Sequence, residues 1–349
     1  MEWLTGDHNS NWPKAKNSKM IFSNRSVIVF LLILIGCQNP GVESENRKSF
    51  LPSSNGTHNE LTLFCDRDLW EGGLGLTLIE SLAEPMAGLP QAEPHFDLSR
   101  IDQKAVTSLT KRSKSILTLA VIPDSSATLV IRDLWASPQL VIAIIAPSAD
   151  ELEQRVRASL PEVIAKFDAH DSRVLASRIK STQSAVVPTS LKDLGVQKLT
   201  LAQGFKTTLN SDGMAVLRED TRKSIQYLLA WEAPWDGEYD PSQALLGDLD
   251  SLLNAHFEGL QDGSYLAVEP QIPVIQSYRQ QDDRLTYVSR GLFRTQKGFG
   301  GGPFLLYSYT DEKNNRVVNL CYLVYGPSMK KRKVMMELET SLQSVILKP

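Results

Sequence analysis

Three cysteines among 349 residues are too few for a disulfide-built scaffold, so a buried core must hold the fold. Histidine is sparse too, five in all with His8 in the leading segment. His58, His95, His170 and His256 stand too far apart for a local pair of metal ligands, and no metal site is expected. Positive charge is not in excess either, with 37 Lys and Arg against 40 Asp and Glu for a net charge of −3. Phosphate backbones are bound by clustered cations, so nucleic acid is excluded as a partner. Familiar catalytic signatures are missing too. There is no Gly-x-Ser-x-Gly elbow and no His-Glu-x-x-His helix. Ser108-x-x-Lys111 and Ser177-x-x-Lys180 lack the companion motifs that would make them catalytic. The Gly72-Gly73-Leu74-Gly75 stretch lacks the third glycine of a dinucleotide fingerprint, so no cofactor is expected.

What is present begins near the N-terminus. Val27 to Ile35 is an unbroken apolar run, preceded by Arg25 and closed by Gly36-Cys37. It is too short to span a bilayer, which takes about 20 residues. A basic flank, a short apolar stretch and a small residue at its end form a signal peptide. Cysteine directly after Leu34-Ile35-Gly36 narrows this to the lipoprotein form, in which the Cys37 thiol is diacylglycerated before cleavage. Residues 1–36 then leave, and Met20 stands as an alternative start to Met1. Losing Lys14, Lys16, Lys19 and Arg25 against Glu2 and Asp7 takes the net charge from −3 to −5. Palmitate-type chains on Cys37 would fix the protein to the cell envelope, each buried methylene contributing about 0.8 kcal/mol. Gln38 is not the Asp that retains lipoproteins in the inner membrane. The expected site is therefore the outer membrane, facing the periplasm, with surface display an open alternative.

Residues 37–59 are rich in Asn, Ser, Gly, Glu and Lys and read as a flexible tether. Over the full 349 residues, 42% hydrophobic and 22% charged residues give an ordinary globular composition. The expected class is α+β, with mixed or antiparallel sheets, helices packed on one face, and two halves at 60–185 and 186–349. Strands are expected at Leu61–Cys65, Ile116–Ile122, Ala127–Leu134 and Leu140–Ile145, and helices at Leu74–Ala83, Asp102–Ser113 and from Ser148 to Lys180 despite Pro161. The second half predicts strands at Lys198–Thr208, Met214–Leu217, Ser224–Trp231, Thr286–Phe293, Phe304–Tyr309 and Val317–Tyr325. Helices are predicted there at Ser242–Phe257 and Lys330–Ile346. The basic run Lys330 to Lys333 reads as a solvated first helical turn. Arg132 to Trp135 with a following Pro-Ser-helix is echoed by Arg290 to Phe293 with another, suggesting two related halves.

Polar residues in loops supply a candidate cleft: Asp66, Gln91, Glu93, Gln139 and Arg290, walled by Trp70 and Trp135. Such a lining would suit a sugar, peptide or carboxylate. The competing reading pairs Arg290 with Asp66 or Glu93 to lock loops together. Cys65 and Cys321 fall in expected buried strands and would pair if those strands are neighbours.

Asp66-x-x-x-Trp70-x-Gly72, Gly88-Leu-Pro-Gln-x-Glu-Pro94, Trp135-x-x-Pro-Gln139, Arg290-Gly-Leu, Gly301-Gly-Pro-Phe304 and Tyr325-x-Pro-x-x-Lys330 together resemble an uncharacterised lipoprotein family of Bacteroidota, a domain of unknown function. The resemblance runs from about Leu61 to Leu347, with Phe293 standing where the family usually carries Trp. It implies a lipidated envelope protein and assigns no catalytic residue. Two functions follow as expectations: a non-catalytic binding or assembly module with an envelope protein or glycan partner, or a periplasmic hydrolase using Asp66 or Glu93 as general acid or base on a saccharide or peptide.

Overall fold

The computed structural model describes residues 51–182, 186–235, 237 and 244–348. Cys37, the apolar run before it and most of the expected tether lie outside the described residues. The last stretch of that tether is strapped to the body instead of hanging free. Ser54 N–H donates to Ser137 O at 3.1 Å and Asn55 N–H to Arg112 O at 2.8 Å, while His58 and Asn59 are buried. Polar composition suggested a loose chain, but its backbone groups found partners on the first domain's loops.

Chain order gives β1 (Glu60–Phe64), α1 (Gly75–Leu82), β2 (Asp97–Ile101), β3 (Ser115–Val121), β4 (Ala127–Arg132), β5 (Leu140–Ala146) and α2 (Ala149–Thr182). These strands form a five-stranded sheet in the order β2-β1-β3-β5-β4. Neighbours from β2 to β5 run parallel, and β4 joins β5 antiparallel. Every residue of β5 is buried, as its unalternating Leu-Val-Ile-Ala-Ile-Ile-Ala sequence requires of a strand covered on both faces. One face is covered by α1 and α2, through Leu78, Leu82, Leu152, Val156 and Phe167 packed on Leu61, Leu63, Leu117 and Ile142. Ser148 starts α2, its Oγ accepting Glu151 N–H at 3.3 Å. The helix continues through Pro161, because Leu160, Val163 and Phe167 are buried on either side of it.

No helix forms over Asp102–Ser113. Two 3-10 turns, Gln103–Ala105 and Thr110–Arg112, stand there. The physical reason is side-chain competition for backbone donors. Asp102 accepts Lys104 N–H at 3.1 Å, and the Thr107 and Thr110 hydroxyls take each other's N–H groups at 2.9 and 3.3 Å.

The second half continues with α3 (Thr189–Asp193), β6 (Val196–Lys198), β7 (Lys206–Ser211), β8 (Met214–Asp220), β9 (Ile225–Pro234), α4 (Ala244–His256), β10 (Tyr265–Val268), β11 (Ile275–Gln281), β12 (Arg284–Gln296), β13 (Gly301–Asp311), β14 (Arg316–Tyr325), α5 (Arg332–Leu342) and β15 (Ile346–Leu347). An eight-stranded sheet runs β10-β12-β13-β14-β9-β8-β7, with β11 also on β12. All its pairings are antiparallel. The run expected as one strand over Lys198–Thr208 is split between β6 and β7. Met335, Leu338 and Leu342 of α5 pack on Leu217, Leu228 and Tyr322 of one face. Leu249, Leu253 and Phe257 pack on Leu229, Phe304 and Leu323 of the other. Helices therefore cover one face of the first sheet and both faces of the second. The strand-Pro-Ser-helix echo between the halves does not extend to their topology, mostly parallel in one and antiparallel throughout in the other.

Candidate functional site

Trp70 and Trp135 do not wall a common cleft. Side chains alternate across a strand, and the two indoles settle on opposite faces of the first sheet. Trp70 packs with Leu61, Leu63 and Cys65 on the helix side, whereas Trp135 packs with Phe64, Ile116 and Val141 on the other. Gln139 is fully buried and spent on structure. Its Oε1 accepts Trp135 N–H at 2.9 Å, and its Nε2 donates to Lys111 O and Ser113 O, each at 2.7 Å. Asp66 is half-buried at the start of the short Arg67–Leu69 turn and makes no side-chain cap there. Gln91 is exposed.

Glu93 has a different task. Only 3% exposed, it reaches from the proline loop of the first half to the start of α5 in the second. One oxygen accepts Lys331 N–H at 2.6 Å and the other accepts Arg332 N–H at 3.2 Å. The first turn of a helix leaves N–H groups without intrahelical partners and carries the positive end of the helix dipole, so a carboxylate is well placed there. Next to it, the Arg332 guanidinium donates to Pro94 O and pairs with Asp97. Lys333 pairs with Glu60 at 3.3 Å, and its carbonyl lies 3.3 Å from His58 Nε2. The basic run is thus not a solvated turn. Lys331 and Arg332 are both buried, at 3% exposure, and burial holds the Lys331 ammonium below the ordinary lysine range. A run of cations on its own could not reveal this, because the compensating Glu93 and Asp97 lie more than two hundred residues away.

Arg290 pairs with neither Asp66 nor Glu93. Its partner is Glu339 of α5, at 2.5 Å, whose same oxygen accepts the Tyr307 hydroxyl at 2.9 Å. The first half still touches it. Gly88 has φ +77°, and a Cβ built there would lie 2.9 Å from Arg290 Cβ. Leu89 packs beside the α5 face of the second core. Five of the residues that carried the resemblance, Gly88, Leu89, Glu93, Pro94 and Arg290, therefore gather along one seam between the halves. The Gly301-Gly-Pro-Phe304 motif serves packing within the second sheet. A Cβ on Gly302 would lie 1.9 Å from Val324 O, so the strands close only around glycine.

Cys65 and Cys321 are free thiols in different cores, Cys65 under α1 and Cys321 under α4. The condition for pairing, neighbouring strands, is not met, because the two cysteines belong to separate sheets. Burial pushes the Cys65 thiol up to about 11 and Cys321 higher still. Among the described residues no group of three or more His, Cys, Asp or Glu is placed to hold a metal ion, and no helix is long and apolar enough to cross a membrane.

Sequence reasoning missed Asp97, Arg332 and Glu339, which complete the seam. The signal available was faint: Asp97 follows the proline loop closely, and Glu339 stands on the α5 face that also carries Met335 and Leu342.

Comparison with solved structures gives the human StarD13 (DLC2) lipid transfer and protein localization domain, 12% identical over 40% of this chain and 84% of that one, at a TM-score of 0.20. The human StAR-related lipid transfer protein 5 is 10% identical over 51% of this chain and 95% of that one, at 0.21. Likenesses at these TM-scores carry no argument about fold or function. No curated protein matches the chain. Residues 54–180 match the family model described as Domain of unknown function (DUF8532), and residues 185–344 match Domain of unknown function (DUF4837). The two matches adjoin, one on each half of the chain, and both describe domains of unknown function.

Proposed function

We propose that the chain is a lipid-anchored envelope protein of the Bacteroidota, held by acyl chains on Cys37, whose two halves form one non-catalytic binding or assembly module. It resides at the outer membrane, facing the periplasm, and meets an envelope protein or glycan there. The observation that carries the non-catalytic reading is the state of Glu93. A general acid or base must present an oxygen to substrate, and both oxygens of Glu93 accept backbone N–H groups inside the seam. Arg290 is likewise engaged by Glu339. The hydrolase reading then rests on Asp66 alone, which is absent from the linings of the clefts beside Thr77 and Ile164, Arg132 and Ser181, Asn55 and Lys114, and Thr128 and Glu162.

Replacing Cys37 by serine tests the anchor. The variant should lose palmitate labelling and leave the membrane fraction, and a variant that keeps both overturns it. Crosslinking in intact cells tests the module, with recovery of one defined envelope partner expected. Turnover of a cell-wall saccharide or peptide that disappears in Asp66→Asn would overturn the non-catalytic reading.

A further inference from the structure

The half of α2 beyond the sheet carries a stripe of polar residues at helical spacing: His170, Arg173, Ser177, Arg178 and Ser181. It faces the end of β4 and the Pro138 loop across a cleft of about 630 Å³ that Arg132 completes. Three guanidiniums and one carboxylate, Asp133, line it, and Asp133 already accepts Gln139 N–H at 2.9 Å. Arg178 is tied to Glu337 of α5. Arg132 and Arg173 have no ion pair among the described residues. The nearby cation Lys114 is neutralised by buried Asp171 at 3.0 Å, which leaves the two free guanidiniums to set the field.

At the inner wall stands His170, 2% exposed, with neither ring nitrogen hydrogen-bonded. A buried polar group without a partner costs about 1–3 kcal/mol, and native folds seldom leave one unexplained. An imidazole N–H, two unpaired guanidiniums and the Ser177 hydroxyl form a donor set suited to a tetrahedral oxyanion, the Ser181 hydroxyl being spent on Arg178 O at 2.7 Å. Guanidinium forks match phosphate oxygens bidentately. A carboxylate would need only one such fork, whereas a phosphate has oxygens for both arginines and for the histidine behind them.

We propose that this cleft binds a phosphate group, with Arg132 and Arg173 clamping its outer oxygens and His170 donating to the inner one. The phosphate belongs either to a small soluble monoester or to a phospholipid headgroup. The site needs no acyl chain on Cys37, so it stands or falls apart from the anchor.

Isothermal titration of the detergent-solubilised full chain tests this with three probes: inorganic phosphate, glycerol 3-phosphate, and dihexanoyl phosphatidylglycerol below its micelle concentration. Binding of the first two supports the site and identifies a soluble ligand, and binding of the lipid alone supports it and identifies a headgroup. Arg132→Gln with Arg173→Gln should weaken the bound probe about tenfold or more, as expected for loss of charge-assisted contacts, while the melting curve keeps its shape. His170→Gln should also weaken binding. Absence of binding by all three probes at millimolar concentration overturns the proposal, as does an unchanged affinity in the folded double variant. So does a crystal grown with phosphate that shows only water on the His170 ring.

Discussion

Glu93 and Lys331 meet across 238 positions of sequence, with the carboxylate of one closing on the backbone N–H of the other at 2.6 Å. That contact fixes where the last helix begins, because Arg332 N–H is bound by the same side chain. The two halves are thereby joined at a helix terminus, a place where backbone donors await a partner in any case.

Removing this cap should weaken the whole chain. Glu93→Ala strands two buried N–H groups and uncovers Lys331, for a loss of about 2–3 kcal/mol. Glu93→Gln keeps one acceptor and should lose about half of that. Urea denaturation followed by circular dichroism measures both, and a change within about 0.5 kcal/mol for the alanine variant, the range of ordinary surface substitutions, would remove the seam from its structural role.

Gly88 presents a separate test of the same seam. An alanine there combines a left-handed backbone with a Cβ pressed to 2.9 Å from Arg290 Cβ. The expected loss is about 1–3 kcal/mol, partly restored when Arg290 is shortened as well. A double-mutant cycle on stability reads the coupling, and strict additivity would mean that the two residues do not meet.

Acid should destabilise the fold through His170. Burial, the largest influence, lowers its pKa to about 4, opposed by Asp171 and assisted by Lys114, Arg173 and Arg132. The unfolded chain, titrating near 6.5, binds the proton first. Stability from the neutral ring is therefore complete above pH 6.5 and falls away as pH drops toward 4, by about 3 kcal/mol in total. His58, also lowered chiefly by burial, adds to the same slope. Chemical denaturation across pH 4 to 7 should show the fall, and His170→Gln should flatten it. An identical slope in that variant would place the proton elsewhere.

The thiols make a simpler case. Cys65 and Cys321 are buried, unpaired and raised in pKa, so neither supplies thiolate at neutral pH. In a Cys37→Ser chain a thiol reagent should label neither under native conditions and both after unfolding. Mass spectrometry of the untreated protein should find no link between them, and a Cys65–Cys321 disulfide would contradict the arrangement of the two cores.

Elements built on strong local patterns were legible in the sequence. β1, β5, α2 and β14 are long apolar or amphipathic runs, and their period alone determines the element. Weakly patterned strands were not: β2 (Asp-Leu-Ser-Arg-Ile), half-buried, and β11, nearly all exposed, owe their conformation to a neighbouring strand. The seam was beyond local reading as well. Gln91, Glu93 and Arg290 look like a binding site because polar residues in glycine and proline loops have that appearance whether they face a ligand or another domain. Glu93 and Arg290 face the other half of the chain, and their partners come from distant sequence. The cleft beside α2 left a local trace, a polar stripe that includes Ser177 of the discounted Ser177-x-x-Lys180, but only the fold brings Arg132 to it.

The strap at Ser53 and Ser54 reaches the body beside Ser137, adjoining the Pro138 edge of the arginine-lined cleft. The span from Cys37 to Leu51 has a contour of about 50 Å at roughly 3.5 Å per residue. On the proposed reading, acyl chains on Cys37 at the far end of that leash would keep this rim within its reach of the headgroup layer. Orientation toward a bilayer would then be set by where the leash is stitched on, without any apolar surface needing to dip into the lipid.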